Sequence, residues 1–297
     1  MFSQIGHERA KDISTRSCSD LERSLGRDGD IARRNASRSL ELEPKQFLAG
    51  SLKNMEKEIK IKTGDGHIIY GTLNVPRKPT AALVVFVHGL TGSKNEHLFF
   101  NAAKLFPSKA IATFRFDLYS GEKNGRTLTC TTISTHAKDV DTVVNRFNVR
   151  YKKIFLVGHS LGGPSILLSR ARNNVAGIIL WDSAHTLQKS DEVDYRYDRH
   201  LKVYILSWGI EMLIGKRMFD DWKRLTRPKD LVKNVSVPIK VICAEKGILI
   251  RPGKEYYKYA KQPKEFMIIK KATHCFDERG TEEKLFSETI KFVKRHS

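Results

Sequence analysis

The chain has 297 residues, 40% of them hydrophobic, and carries 53 Lys and Arg against 33 Asp and Glu, a formal net charge of +20. That length holds one large α/β domain or two small ones and is ample for a buried core. No stretch approaches the roughly 18 apolar residues of a membrane span, the N-terminus lacks the apolar centre of a secretion signal, and the four cysteines show no C-x-x-C spacing, so reduced thiols in a cytoplasmic protein are expected.

The positive charge is spread along the chain, at Lys152-Lys153, Lys216-Arg217, Lys223-Arg224, Lys270-Lys271 and Lys294-Arg295. It reads as a solvated basic surface, with attraction to anionic partners as the sharper reading. No RNA- or DNA-binding motif accompanies it, so no specific nucleic-acid partner is expected.

Residues 1–54 are rich in Ser, Arg and Asp and keep no period of 2 or 3.6. They read as a disordered extension. A transit peptide fits poorly, because acids such as Glu8, Asp12, Asp20 and Glu22 recur in it. Folded-domain patterning starts near Met55, which is also a candidate start of the chain.

Two alternating runs, Glu58–Lys62 and His67–Asn74, flank Thr63-Gly64-Asp65-Gly66 and predict a hairpin. Ala81–Val87 is a continuous apolar run, as expected of a strand buried on both faces. It ends in His88-Gly89-Leu90, and a helix is expected over Glu96–Phe106. Further strands are expected at Ala110–Phe116, Lys153–Val157 and Val175–Trp181, with a helix over Ile133–Phe147. This alternation predicts a mostly parallel sheet with helices on both faces.

The alternation breaks over about 184–235. Leu201–Ile214, with Trp208 and Met212, reads as an apolar helix, and Asp220–Leu225 as a second. Together they predict a small helical cap over the active face. A strand at Ile239–Ala244, a helix at Pro252–Ala260, a strand at Glu265–Ile269 and a terminal helix at Glu282–Arg295 complete the pattern. One domain, 55–297, is expected.

The chemistry centres on Gly158-His159-Ser160-Leu161-Gly162, placed between a strand and a helix. This G-x-S-x-G pattern lifts a serine onto a strained turn and needs small neighbours so that the two arms can pass. Ser160 is the candidate nucleophile. His274, in the loop after the last strand, is the candidate base. The amides of Leu90 and Leu161 are the candidate oxyanion donors. His159 is too close along the chain to serve Ser160 and reads as a supporting residue, and His88 as a structural one.

His88-Gly89, the elbow and Thr273-His274 occur in an order and spacing that resemble the α/β-hydrolase superfamily. The likeness is to the branch of cinnamoyl-esterase-like and serine aminopeptidase (S33)-type hydrolases. His88-Gly89-Leu90-Thr91-Gly92-Ser93-Lys94-Asn95-Glu96 is similar to their oxyanion loop. The resemblance covers about 55–297. It implies an eight-stranded sheet, a Ser-His-acid triad, no cofactor or metal, and hydrolysis of a small-molecule ester.

The acid departs from the family pattern. Relatives place an Asp after the seventh strand, but here Gly247 stands there, in Ala244-Glu245-Lys246-Gly247. Asp182, ending the preceding sheet strand, and Glu245 are the two substitutes, and a site without a working acid is the third possibility. Asp117 reads as structural, and Asp277 lies too near His274. The leading expectation is a serine-dependent esterase. Peptidase or thioesterase activity on the same machinery and a non-catalytic binding module are the rivals, and the sequence does not fix the oligomeric state.

Overall fold

The computed structural model describes residues 55–185, 194–207, 211–225 and 227–297. The expectations for 1–54 and for Trp208 lie outside the described residues.

The chain opens on β1 (Met55–Lys62) and β2 (Ile68–Val75), paired antiparallel with Lys62 opposite Ile68. The hairpin turn closes where expected, with Gly66 at φ +90° and Thr63 Oγ1 donating to Asp65 at 2.6 Å. There follow β3 (Ala82–Val87), α1 (His97–Leu105), β4 (Ala112–Phe116), α2 (Ile133–Phe147), β5 (Lys153–His159), α3 (Gly162–Leu168) and β6 (Gly177–Trp181).

The next segment corrects the sequence reading. The helix expected over Leu201–Ile214 is not formed. In its place β7 (Asp194–Asp198), β8 (Val203–Ser207) and β9 (Glu211–Gly215) make a separate antiparallel sheet of three strands. The helical part is α4 (Lys216–Lys223), which begins four residues before the expected Asp220, and the short α5 (Pro228–Val232). Leu201–Ile214 is apolar with few breaks and keeps no clear period, so it fits a buried helix or a pair of strands equally. The β-branched and aromatic residues Val203, Tyr204 and Ile205 favour the pleated form once β7 supplies a partner.

The main sheet resumes with β10 (Ile239–Ala244), α6 (Ile250–Tyr259), β11 (Lys264–Ile269) and α7 (Thr281–His296). Its eight strands run in the order β1-β2-β4-β3-β5-β6-β10-β11. All neighbours from β4 to β11 are parallel, and only the β1–β2 and β2–β4 pairs are antiparallel.

The inner strands are apolar on both sides because helices cover both faces. Alternate residues of β3 show the division. Leu83, Val85 and Val87 join Val140 and Val144 of α2 on one side, whereas Val84 and Phe86 join Phe99 of α1 and Phe286 of α7 on the other. Trp181, fully buried at the end of β6, packs on Phe86 with ring centroids 5.6 Å apart and donates its Nε1 proton to Thr289 Oγ1 at 3.0 Å. Among the described residues no helix is long and apolar enough to cross a membrane.

Candidate active site

β5 delivers the chain to Ser160, whose φ of +51° places it in the left-handed region. For a residue with a Cβ that conformation costs about 1 kcal/mol or more. The surrounding glycines are a steric requirement. A Cβ on Gly158 would stand 2.7 Å from the Gly162 carbonyl carbon and the Gly163 nitrogen. One on Gly162 would strike the Val87 carbonyl, and one on Gly163 the Ser183 hydroxyl. The elbow is stitched to the end of β6, with Ser160 N–H donating to Trp181 O at 3.1 Å and Ala184 N–H to Ser160 O at 3.2 Å.

Asp182 is the next residue after β6. It is fully buried and also left-handed, at φ +38°. Its backbone amide donates to Ile242 O at 2.7 Å, and its Oδ1 accepts the Ala244 amide at 3.0 Å. These two bonds, both to β10, hold the carboxylate in one orientation. Oδ2 lies 2.6 Å from His274 Nδ1. With Nδ1–H donated to Asp182, the remaining lone pair of the ring is on Nε2. The His274 side chain is 39% exposed where that of Asp182 is 0%, so the base reaches the cleft while its partner is sealed from water.

His159 supports this arrangement from beneath. Its ring stacks on that of His274 with centroids 4.5 Å apart, and its Nε2–H donates to the His274 backbone carbonyl at 2.9 Å. Burial, reinforced by the neighbouring His274, pushes its pKa down to about 3, so the ring is neutral. Sequence separation alone made His159 a supporting residue; nothing in the sequence indicated that its partner is the His274 loop. Thr273, one residue before His274, is anchored by its amide on the Glu278 carboxylate at 3.0 Å.

The region around Gly247 separates the surroundings of the two candidate acids. A Cβ on Gly247 would stand 2.9 Å from Asp182 Oδ2. The space a side chain would need at 247 is therefore already bordered by the Asp182 carboxylate. Glu245 is turned away from His274. It accepts from Lys270 Nζ at 2.6 Å and from the Lys271 amide at 2.8 Å, which hold its carboxyl below the ordinary range. Both Glu245 oxygens are thus occupied by the Lys270–Lys271 segment, whereas the His274 ring is met by Asp182. Asp277 meets Thr273 Oγ1 at 3.2 Å, and Asp117 accepts the Lys94 amide at 2.7 Å.

The loop after β3 passes over the elbow. A Cβ on Gly89 would lie 3.0 Å from Ser160 Cβ and 3.5 Å from its Oγ. The His88 ring is buried, with Nε2 accepting the Leu118 amide at 2.9 Å. Nδ1 must therefore carry the proton, and it donates to Gly89 O at 2.8 Å. Burial lowers the His88 pKa and favours this neutral form. Tyr119 Oη donates to the same carbonyl at 3.2 Å. In a trans peptide the carbonyl and the following N–H point opposite ways. Drawing Gly89 O toward His88 and Tyr119 thus turns the Leu90 N–H to the other side. Leu161 stands at the start of α3, where first-turn amides have no intrahelical acceptor.

The side chains of Leu90 and Leu161 belong to one buried apolar cluster with Ile133 of α2, Leu206 of β8, Ile214 of β9, and Met218 and Trp222 of α4. The inserted segment therefore shares one apolar cluster with both residues whose amides are the candidate oxyanion donors. Among the described residues no group of three or more His, Cys, Asp or Glu is placed to hold a metal ion.

A family model described as the alpha/beta hydrolase family matches residues 84–245. No curated protein matches the sequence. Solved structures do. Ferulic acid-bound Est1E from Butyrivibrio proteoclasticus is 18% identical with a TM-score of 0.65, covering 80% of this chain and 98% of its own. The esterase domain of a Rhodothermus marinus protein is 18% identical with a TM-score of 0.64, covering 82% and 99%. Alpha/beta hydrolase domain-containing protein 10 from mouse is 17% identical with a TM-score of 0.63, covering 81% and 100%. At these identities the likeness shows the fold.

Proposed function

The chain belongs to the alpha/beta hydrolase family, and from that premise we propose that it is a serine-dependent hydrolase of carboxylic esters working through an acyl-enzyme. The observation that carries the proposal is the 2.6 Å bond between His274 Nδ1 and the sealed Asp182 carboxylate, in a chain whose elbow serine is left-handed.

Ser160 Oγ attacks the acyl carbon while His274 Nε2 takes its proton. The carbonyl electron pair moves onto oxygen, where the Leu90 and Leu161 amides receive it. Asp182 keeps the imidazole oriented and offsets the charge of the imidazolium. The proton then passes to the leaving alcohol, and a water repeats the sequence to release the acid. In this reading the acid occupies the end of β6, and Gly247 leaves it room. The esterase names among the solved structures that share the fold support this reading without fixing the substrate.

The apolar cluster around Leu90 and Leu161 forms the wall for an acyl or aromatic group of a small-molecule substrate, and the three-stranded sheet with α4 acts as a cap over it. Peptidase or thioesterase chemistry would use the same residues. Gly247 speaks for a non-catalytic role, and the His274–Asp182 bond weighs against it. The test is hydrolysis of a panel of p-nitrophenyl esters by the full chain and by Ser160→Ala. Turnover that vanishes in the variant supports the proposal; equal rates in both proteins would remove it.

A further inference from the structure

Glu96 ends the oxyanion-loop stretch and stands at the N-terminal boundary of α1, where a negative charge is favoured by the helix dipole. Here the side chain makes no capping hydrogen bond. Its Oε2 is buried and has no partner. The nearby cations are otherwise engaged, Lys94 with Asp117 at 3.6 Å and with Glu58 at 4.0 Å, and Arg115 with Glu56 at 3.5 Å. A buried carboxylate oxygen without a donor is costly and calls for an explanation.

Its surroundings supply one. A Cβ on Gly92 would stand 2.7 Å from Glu96 Oε2 and 3.0 Å from His88 Nδ1, so the missing side chain at 92 makes room for the carboxyl under the oxyanion loop. The next residue, His97, ties the same corner to the His274 loop through a 3.0 Å contact between its Nε2 and the Cys275 carbonyl. The titratable groups within electrostatic reach of Glu96 are His274 and Cys275 from the loop after β11 and Tyr119 from the loop after β4, and His88 Nδ1 borders the same gap at Gly92. Of these, His274 is the one that becomes cationic in the reaction proposed above, since His88 is held neutral.

We propose that Glu96 is a positioning residue for His274, a second carboxylate whose charge stabilises the imidazolium formed when Ser160 is deprotonated. The inference rests on the serine-hydrolase reading. No proton moves to Glu96: the Ser160 proton goes to His274 Nε2, the Oγ–acyl bond forms, and the carbonyl π pair moves to oxygen.

Burial pushes the Glu96 pKa up to about 7, and His274 draws it back. The sign follows. Above pH 7 the carboxylate is charged and assists; below it the group becomes neutral and the assistance fades. Removing the charge in Glu96→Gln lowers the alkaline plateau of kcat/KM by about tenfold. It also removes the inflection near pH 7, leaving an acid limb set by one ionisation and displaced to lower pH. Glu96→Asp restores part of the plateau. A second readout needs no variant, since the rate of fluorophosphonate labelling of Ser160 in the unaltered chain should show the same inflection. An unchanged pH profile in folded Glu96→Gln would overturn the proposal, as would labelling that follows a single ionisation if Glu96→Gln fails to fold. Both outcomes differ from failure of the serine reading, in which Ser160→Ala would leave ester turnover intact.

Discussion

The parallel strands β6 and β10 end side by side, and each is followed by an acidic residue. Asp182 leaves β6 through a left-handed turn that buries its carboxylate and aims it at His274. Glu245 leaves β10 in an ordinary turn that exposes its carboxylate to Lys270 and the Lys271 amide. The two positions differ little in sequence, an acid after a run of buried apolar residues. What separates them is a backbone dihedral and the two hydrogen bonds that tie Asp182 to β10. Gly247 belongs to the same comparison, because the vacancy after β10 is the space beside the carboxylate after β6.

Substitutions at and around the two strand ends are expected to differ widely in effect. The largest effect is expected from Ser160→Ala, which removes the group both carboxylates would serve. Ester turnover should fall by about 10⁶-fold, as for loss of the nucleophile in a serine protease, and steady-state kinetics on p-nitrophenyl esters measure it. Gly247→Asp tests the contrast by crowding. The new side chain meets Asp182 Oδ2 and sets two carboxylates together, so activity should fall by about 10²-fold and stability by about 1–3 kcal/mol, read by kinetics and by urea denaturation. The paired change Asp182→Gly with Gly247→Asp moves the acid from one strand end to the other. It should recover about tenfold over Asp182→Gly alone, given that one imidazole would serve either carboxylate and that glycine accepts the left-handed turn.

His159→Ala removes a bond to the His274 carbonyl and a stacked ring but no charge. A loss of about tenfold in kcat is expected, with KM little altered. The smallest effect belongs to Glu245→Gln. An exposed carboxylate paired with Lys270 contributes little, and kcat/KM should stay within about twofold of the parent.

Much of the candidate site is legible in the chain. The elbow is announced by glycines whose necessity is steric, and Gly162 is needed where backbones nearly touch. His274 was marked by its place after the last strand, and Asp182 by its place at the end of β6. The β-α alternation carried the main sheet, because strands buried on both faces read as unbroken apolar runs. The insertion was not legible, since Leu201–Ile214 is apolar without a period and its partner strand β7 lies in a polar, aromatic stretch. The bond from His159 to the His274 loop and the unpartnered Oε2 of Glu96 join segments more than 100 residues apart or depend on a missing Cβ, and no local pattern records either.

The most direct test of the central claim is kcat/KM for Asp182→Asn against a p-nitrophenyl ester, with a thermal melt to show that the variant is folded. The account predicts a loss approaching 10⁴-fold, the scale seen when a triad acid is made neutral in a serine protease. A folded Asp182→Asn protein that keeps activity within about tenfold of the parent would contradict it.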